Sequence, residues 1–242
     1  MKSLRIAITI LSFVCISQIS IADNAQLQAR KDIAALNVEY NIDQLMQAIA
    51  ANDSLLIDLF LKSGLDINQK VAFFPYIRGN IPDAAFRFFT RYMGSGMQTP
   101  PEFQQYDLEY TRKFDAYGIE GTPLMLAVYL ENEPIVDMML KHGVSPNTFG
   151  KDDRKRIVTA LTLGISKKNP KIVSKLISSG ADVIVNQDDE YKTNVIKNTF
   201  VVTTERSSIE SKDSLIEIAN LLDEKLSKEY YTSYLKRIKL IQ

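Results

Sequence analysis

Residues 121–147 read GTPLMLAVYLENEPIVDMMLKHGVSPN, and this stretch decides how the chain folds. Pro123 pre-sets φ for the first turn of a helix and loses no needed hydrogen bond there, while Thr122 before it can cap the free N–H groups. Leu124, Ala127 and Val128 then fall at i, i+3 and i+4, and Ile135, Val136, Met139 and Leu140 form a second stripe of the same kind. Gly143 supplies the left-handed conformation that ends the second helix. Two helices this short cannot bury their apolar faces alone, so other pairs must lie beside them.

The frame recurs. Aligned on the terminal glycine, residues 159–184 place Leu161, Gly164 and Ile165 on a first helix and Ile172, Val173, Leu176 and Ile177 on a second, ending in Gly180-Ala181-Asp182. Residues 43–68 place Leu45, Ala48 and Ile49, then Leu56, Ile57, Phe60 and Leu61, ending in Gly64-Leu65-Asp66-Ile67-Asn68. Neither copy has the Thr-Pro turn, since Ala160 follows Thr159, which leaves the start of that first helix open. A degenerate unit over 193–226 is read from order and periodicity, with helices from Val195 to Val202 and from Leu215 to Leu226.

The Thr122-Pro123-Leu124 turn, the small Ala127, the Ile135-Val136 and Met139-Leu140 pairs, Gly143 and Asn147 together resemble the ankyrin repeat. The resemblance implies an all-α fold: an ankyrin-repeat solenoid of about four helix-turn-helix repeats, interrupted by an insertion and closed by a C-terminal capping helix. That last helix is expected from Tyr230, Tyr231, Tyr234, Leu235 and Ile238 among lysines. Arrays of this kind usually bind other proteins, so the resemblance implies a binding module rather than an enzyme.

The chain opens with Lys2 and Arg5, an apolar run from Ile6 to Ile16, and Ser20-Ile21-Ala22 before Asp23. This is the layout of a secretory signal peptide over 1–22, with small residues where a signal peptidase reads. A membrane anchor is the competing reading, but the run falls short of the roughly 20 apolar residues that a spanning helix needs. Cleavage after Ala22 removes Cys15, the sole cysteine, and leaves residues 23–242 as the repeat domain with no stable membrane insertion. A disulfide framework and thiolate metal sites are then excluded, and stability must come from a packed core. Losing Lys2 and Arg5 leaves 27 basic against 29 acidic residues, a balance that gives no sign of nucleic-acid binding. The short signal and the Lys-rich, Ile-rich composition point to a bacterial chain and a periplasmic address.

Gly64 and Gly143 stand 79 positions apart, whereas repeats of this kind recur at about 33, so an insertion occupies 69–120. Its segment from Phe73 to Tyr117 carries 12 of the 22 aromatic residues, together with Arg78, Arg87, Arg91 and Arg112. Aromatic and arginine side chains dominate binding hot spots, and insertions in repeat arrays map to one face. The competing reading is a small local core, because Phe86, Phe89 and Met93 have helical spacing. Tyr76, Arg78, Arg87, Tyr92, Tyr106 and Arg112 are the candidates for exposed partner contacts. Lys151, Arg154 and Arg156, on what reads as a lengthened finger after Gly150, are further candidates.

No catalytic constellation is found. His142, the sole histidine, stands beside Gly143 at a helix end, where a cation complements the helix dipole. With no second histidine and no cysteine after cleavage, a zinc site would need carboxylates alone, so no metal and no cofactor are expected. The nucleophile elbow Gly-x-Ser-x-Gly is missing, and Gly94-Ser95-Gly96 lacks the spacing of a phosphate loop. Asp152-Asp153 and Asp188-Asp189-Glu190 are expected on solvated loops. The expected function is non-catalytic binding of another protein. The sharper form is an immunity protein occluding a secreted toxic hydrolase, and the alternative is a housekeeping periplasmic protein in envelope or oxidative-stress defence.

Overall fold

The structure, a computed structural model, describes residues 23–73, 101, 119–152, 155–186 and 194–240. The expected signal peptide and most of the insertion lie outside these residues. The chain divides into two compact units, residues 1–67 and residues 68–242.

In the first unit, α1 spans 23–35, α2 spans Ile42–Ala51 and α3 spans Ser54–Lys62. Asn41 caps α2 by accepting from the N–H of Gln44, and Leu45, Ala48 and Ile49 of α2 are buried with Ile57 and Phe60 of α3. Ala29 and Ile33, one turn apart on α1, are buried as well. The carbonyl oxygen of Ser63 accepts from Arg30 Nε at 2.8 Å and from the Tyr40 hydroxyl at 3.1 Å. The Arg30 guanidinium lies 5.1 Å from the Tyr40 ring centre, so one side chain of α1 ties the end of α3 to the turn before α2.

The second unit begins with two short strands, β1 (Val71–Phe73) and β2 (Ile119–Gly121). Then come α4 (Pro123–Tyr129), α5 (Glu133–Lys141), β3 (Phe149–Asp152), β4 (Ile157–Thr159), α6 (Ala160–Ser166) and α7 (Pro170–Ser178). It continues through α8 (Val195–Glu205), a 3₁₀ turn at Ile209–Ser211, α9 (Lys212–Leu226) and α10 (Tyr231–Arg237). The first helices of each pair lie side by side in the order α4, α6, α8, and the second helices in the order α5, α7, α9. Leu124, Ala127, Val128, Ile135, Val136 and Met139 are buried, as are Leu161, Ile165, Ile172, Val173 and Leu176. Each such large apolar side chain contributes about 1.5–3 kcal/mol relative to exposure.

Local sequence explains the helix ends. Thr159 caps α6 with a reciprocal capping box to Thr162, so that helix starts at Ala160 without the Thr-Pro turn. Gly64, Gly143 and Gly180 all have positive φ, the left-handed conformation that closes the second helix of each pair. The turns inside the pairs repeat too: Asn52, Glu131 and Lys168 have left-handed φ values of 58°, 56° and 56°. Asp53, Asn132 and Asn169 follow them and accept from the N–H of Leu56, Ile135 and Ile172 at 3.0, 3.2 and 3.1 Å. The α8–α9 connection departs from this turn and runs through the 3₁₀ segment instead.

α10 packs on α9 with Tyr231, Tyr234 and Leu235 buried. Phe200 meets the edges of Tyr231 and Tyr234 at 5.0 and 6.4 Å between ring centres.

The expectation of an all-α chain is corrected in one respect. The chain is mostly helical, but β1 to β4 pair into a four-stranded antiparallel sheet in sequence order. β1 and β2, of three residues each, are too short to show an alternating pattern of their own, and β1 pairs with a partner far along the chain.

Candidate functional site

The sheet gathers what the sequence scatters. In β2, Ile119 and Gly121 are buried and Glu120 is exposed; in β3, Gly150 and Asp152 are buried while Phe149 and Lys151 are exposed. Glu120 pairs in register with Lys151, and Lys151 with Ile157. These residues therefore share one face. Phe149 is 43% exposed, and the Lys70 ammonium lies 4.2 Å from its ring centre. The outer face thus presents an aromatic ring flanked by two cations, with Glu120 and half-buried Ile157 beside them.

The tip of the β3–β4 hairpin is fastened by one carboxylate. Asp152 accepts from the backbone N–H of Arg156 at 2.8 Å and from Arg156 Nε at 2.7 Å, and Arg156 Nη2 stands 2.6 Å from the same carboxylate. The Asp152 side chain is buried, whereas that of Arg156 is more than half exposed. Asp152, expected on a solvated loop, is instead part of a strand. A buried carboxylate needs a charged partner and hydrogen bonds, and Arg156 supplies both. Lys155 makes the tight turn in the left-handed region, φ 62°.

Register sets Phe73, Ile119 and Asp152 in one row at one end of the sheet. Phe73 pairs with Ile119, and Ile119 pairs with Asp152. The two residues that flank 74–118 therefore stand beside Asp152. Of the sequence candidates, Lys151 stands on the exposed face and Arg156 at the tip. Tyr76, Arg78, Arg87, Tyr92, Tyr106, Arg112 and Arg154 lie outside the described residues, as do Asp153, Asp188, Asp189 and Glu190. Lys70, Glu120 and Phe149 were missed. The alternation Phe149-Gly150-Lys151-Asp152, followed after a polar tip by Ile157-Val158-Thr159, was the signal of a hairpin.

The helical face opposite in character is self-neutralised. Lys175 of α7 reaches Asp137 of α5 at 3.3 Å, Lys171 reaches Glu133 at 3.9 Å, and Lys167 reaches Glu131 at 3.8 Å. Hydrogen bonding from Lys141 holds the Asp137 carboxyl below its ordinary value, with Lys175 adding to the effect. Lys167 also lies 3.9 Å from the Tyr129 ring centre, and burial lowers the ammonium and raises the phenol. Burial likewise pushes Tyr231 well above the ordinary range of a phenol. Among the described residues, no group of three or more His, Cys, Asp or Glu could hold a metal ion, and no helix is long and apolar enough to cross a membrane.

Residues 121–151 match the family model of the Ankyrin repeat, which covers α4, α5 and most of β3 and supports the ankyrin-repeat family. Nothing among curated proteins matches the chain. Ankyrin repeats generally mediate protein–protein interaction and are generally non-catalytic. The matched segment ends on the sheet whose outer face carries Phe149 and Lys151.

Proposed function

We propose that the protein is a non-catalytic binding module exported to the periplasm, where it serves as an immunity protein that neutralises an antibacterial effector by occluding it. The partner is a protein, a secreted toxic hydrolase in this reading. The observation that supports the binding surface is the Phe73–Ile119–Asp152 row of the sheet, which sets the two residues that flank 74–118 beside the last residue of β3. In this reading the aromatic, arginine-rich segment 74–118 and the finger residues Lys151, Arg154 and Arg156 meet the same partner. Export rests on the layout of residues 1–22, with charged, apolar and small-residue segments in the order that a signal peptidase recognises.

The test is affinity purification of the tagged protein from the periplasm, with the bound proteins identified by mass spectrometry and the mass of the complex measured. One stoichiometric partner that is a secreted lipase, nuclease or wall hydrolase is the expected result. Recovery of the protein alone, or with resident envelope proteins, overturns the immunity reading in favour of a housekeeping role.

A further inference from the structure

We infer that the outer face of the sheet docks an extended, acidic segment of the partner protein, with a carboxylate on Lys151 and an apolar side chain on Phe149. The inference rests on the protein-binding reading and adds the chemistry of what is bound.

Three observations carry it. Phe149 is a large ring left 43% exposed on a strand. The Lys70 ammonium lies over that ring, 4.2 Å from its centre, so a cation already stands against the apolar surface and leaves the rest of the ring for a ligand. Lys151 stands two residues further along the same strand and is exposed on the same face. Two residues of strand span roughly 7 Å, which is also the distance between alternate side chains of an extended peptide. A segment with an acidic residue at i and an apolar residue at i+2, so that the two kinds alternate along one of its faces, therefore matches the pitch of this face, with Lys151 and Lys70 as the cations that its carboxylates meet around the ring.

Glu120 restricts the occupant. It is exposed and stands in register beside Lys151, so it opposes a continuous line of negative charge while tolerating a single carboxylate next to an apolar group. A peptide with spaced carboxylates fits; a phosphodiester strand, charged at every unit, fits less well.

The probe is a blocked peptide that repeats Glu-Ser-Leu-Ser, so that glutamate and leucine alternate along one face of the extended chain, titrated into the isotopically labelled full chain and followed by amide chemical shifts at low salt. The controls are the same peptide with lysine in place of glutamate, and an oligothymidylate. The expected result is saturable shifts at Lys70, Phe149, Gly150, Lys151 and Ile157 with the acidic peptide alone. Phe149→Ala and Lys151→Glu should each weaken it at least about tenfold, which is ~1.4 kcal/mol. The Lys151→Glu chain should in turn bind the basic peptide, a reversal that a purely structural role for Lys151 would not produce. Absent shifts, shifts confined to another face, equal response to the basic peptide, or preference for the oligothymidylate each overturn the inference. Its failure is separable from failure of the binding reading: a partner recovered from the periplasm that binds Phe149→Ala and Lys151→Glu as tightly as the parent leaves the module intact and removes this face from it.

Discussion

Asn147 accepts a hydrogen bond from the backbone N–H of Asp182 at 2.8 Å and donates one to the carbonyl oxygen of Gly180 at 2.9 Å. One amide side chain thus ties the loop after α5 to the loop after α7. Both contacts are exposed, so water competes for them, and Asn147→Ala should cost about 1–2 kcal/mol. In a chain of this size that is a fall in Tm of roughly 2–8 °C. Faster hydrogen exchange at the Asp182 amide, with the α5 and α7 interiors unchanged, would locate the effect.

Gly150 permits a close approach. A Cβ there would lie 1.9 Å from the carbonyl oxygen of Glu120, and the obstacle is backbone that cannot rotate away. Gly150→Ala should therefore separate β2 from β3 and cost about 3 kcal/mol, at the upper end of overpacking penalties. Denaturant unfolding measures the loss. A Gly150→Ala chain with unchanged stability and unchanged protection of the strand amides would contradict the packing described.

Arg156 is a test of structure against recognition. Arg156→Ala removes two side-chain contacts from the buried Asp152 carboxylate and should destabilise the hairpin by about 1–3 kcal/mol. Arg156→Lys keeps a charge but not the forked geometry and should recover only part of it. Thermal unfolding of the isolated protein reads this with no partner present; equal Tm for all three chains would free Arg156 for a contact role alone.

Asp223 anchors the C-terminal helix. Its carboxylate accepts from the N–H groups of Tyr230, Tyr231 and Thr232 at 2.8, 2.7 and 2.8 Å, and from the Thr232 hydroxyl at 2.7 Å. Asp223→Ala leaves three N–H groups at the start of α10 without this acceptor and should cost about 2–3 kcal/mol. The near-ultraviolet signal of Tyr231 and Tyr234 should fall, and cleavage by trypsin at Lys228 should accelerate. Asp223→Asn should lie between the two.

The α5–α7 ion pairs set a pH response. The Asp137 carboxyl is held below its ordinary value in the folded chain by hydrogen bonding from Lys141 and then by Lys175. A depressed folded pKa means that its contribution is present above the unfolded value and is lost as pH falls through the folded one. Asp137→Asn should thus lower Tm at neutral pH and become silent in acid below the carboxylate range. High salt should shrink the difference at neutral pH too, because the pairs are at the surface.

Much of the helical layer was legible because its signals are local. The stripes at Leu124 and Ile135, the Thr122 cap and the glycines at 64, 143 and 180 each act within a turn or two of themselves, and the structure shows them as read. The turn inside each pair was harder, since Asn52, Glu131 and Lys168 adopt a conformation that their side chains do not advertise; the Asp or Asn that follows each one was the available clue. α1 was passed over although Ala29 and Ile33 have helical spacing. The sheet was missed for a different reason: Val71 pairs with Gly121 across a long stretch of chain, and no local pattern records such a pairing. Phe149 and Lys70 went unnoticed with it, because only the folded register sets them side by side.

The β1–β2 pairing also bears on how such a chain can change. Phe73 and Ile119 are neighbours, so the 45 residues between them form a detour that returns to its starting point. Doubling the length of such a loop costs only about 0.6 kcal/mol in closure entropy. Exchange of everything from 74 to 118 for another segment of similar or greater length is therefore compatible with the same β1–β2 pairing, and with the same helices beyond it.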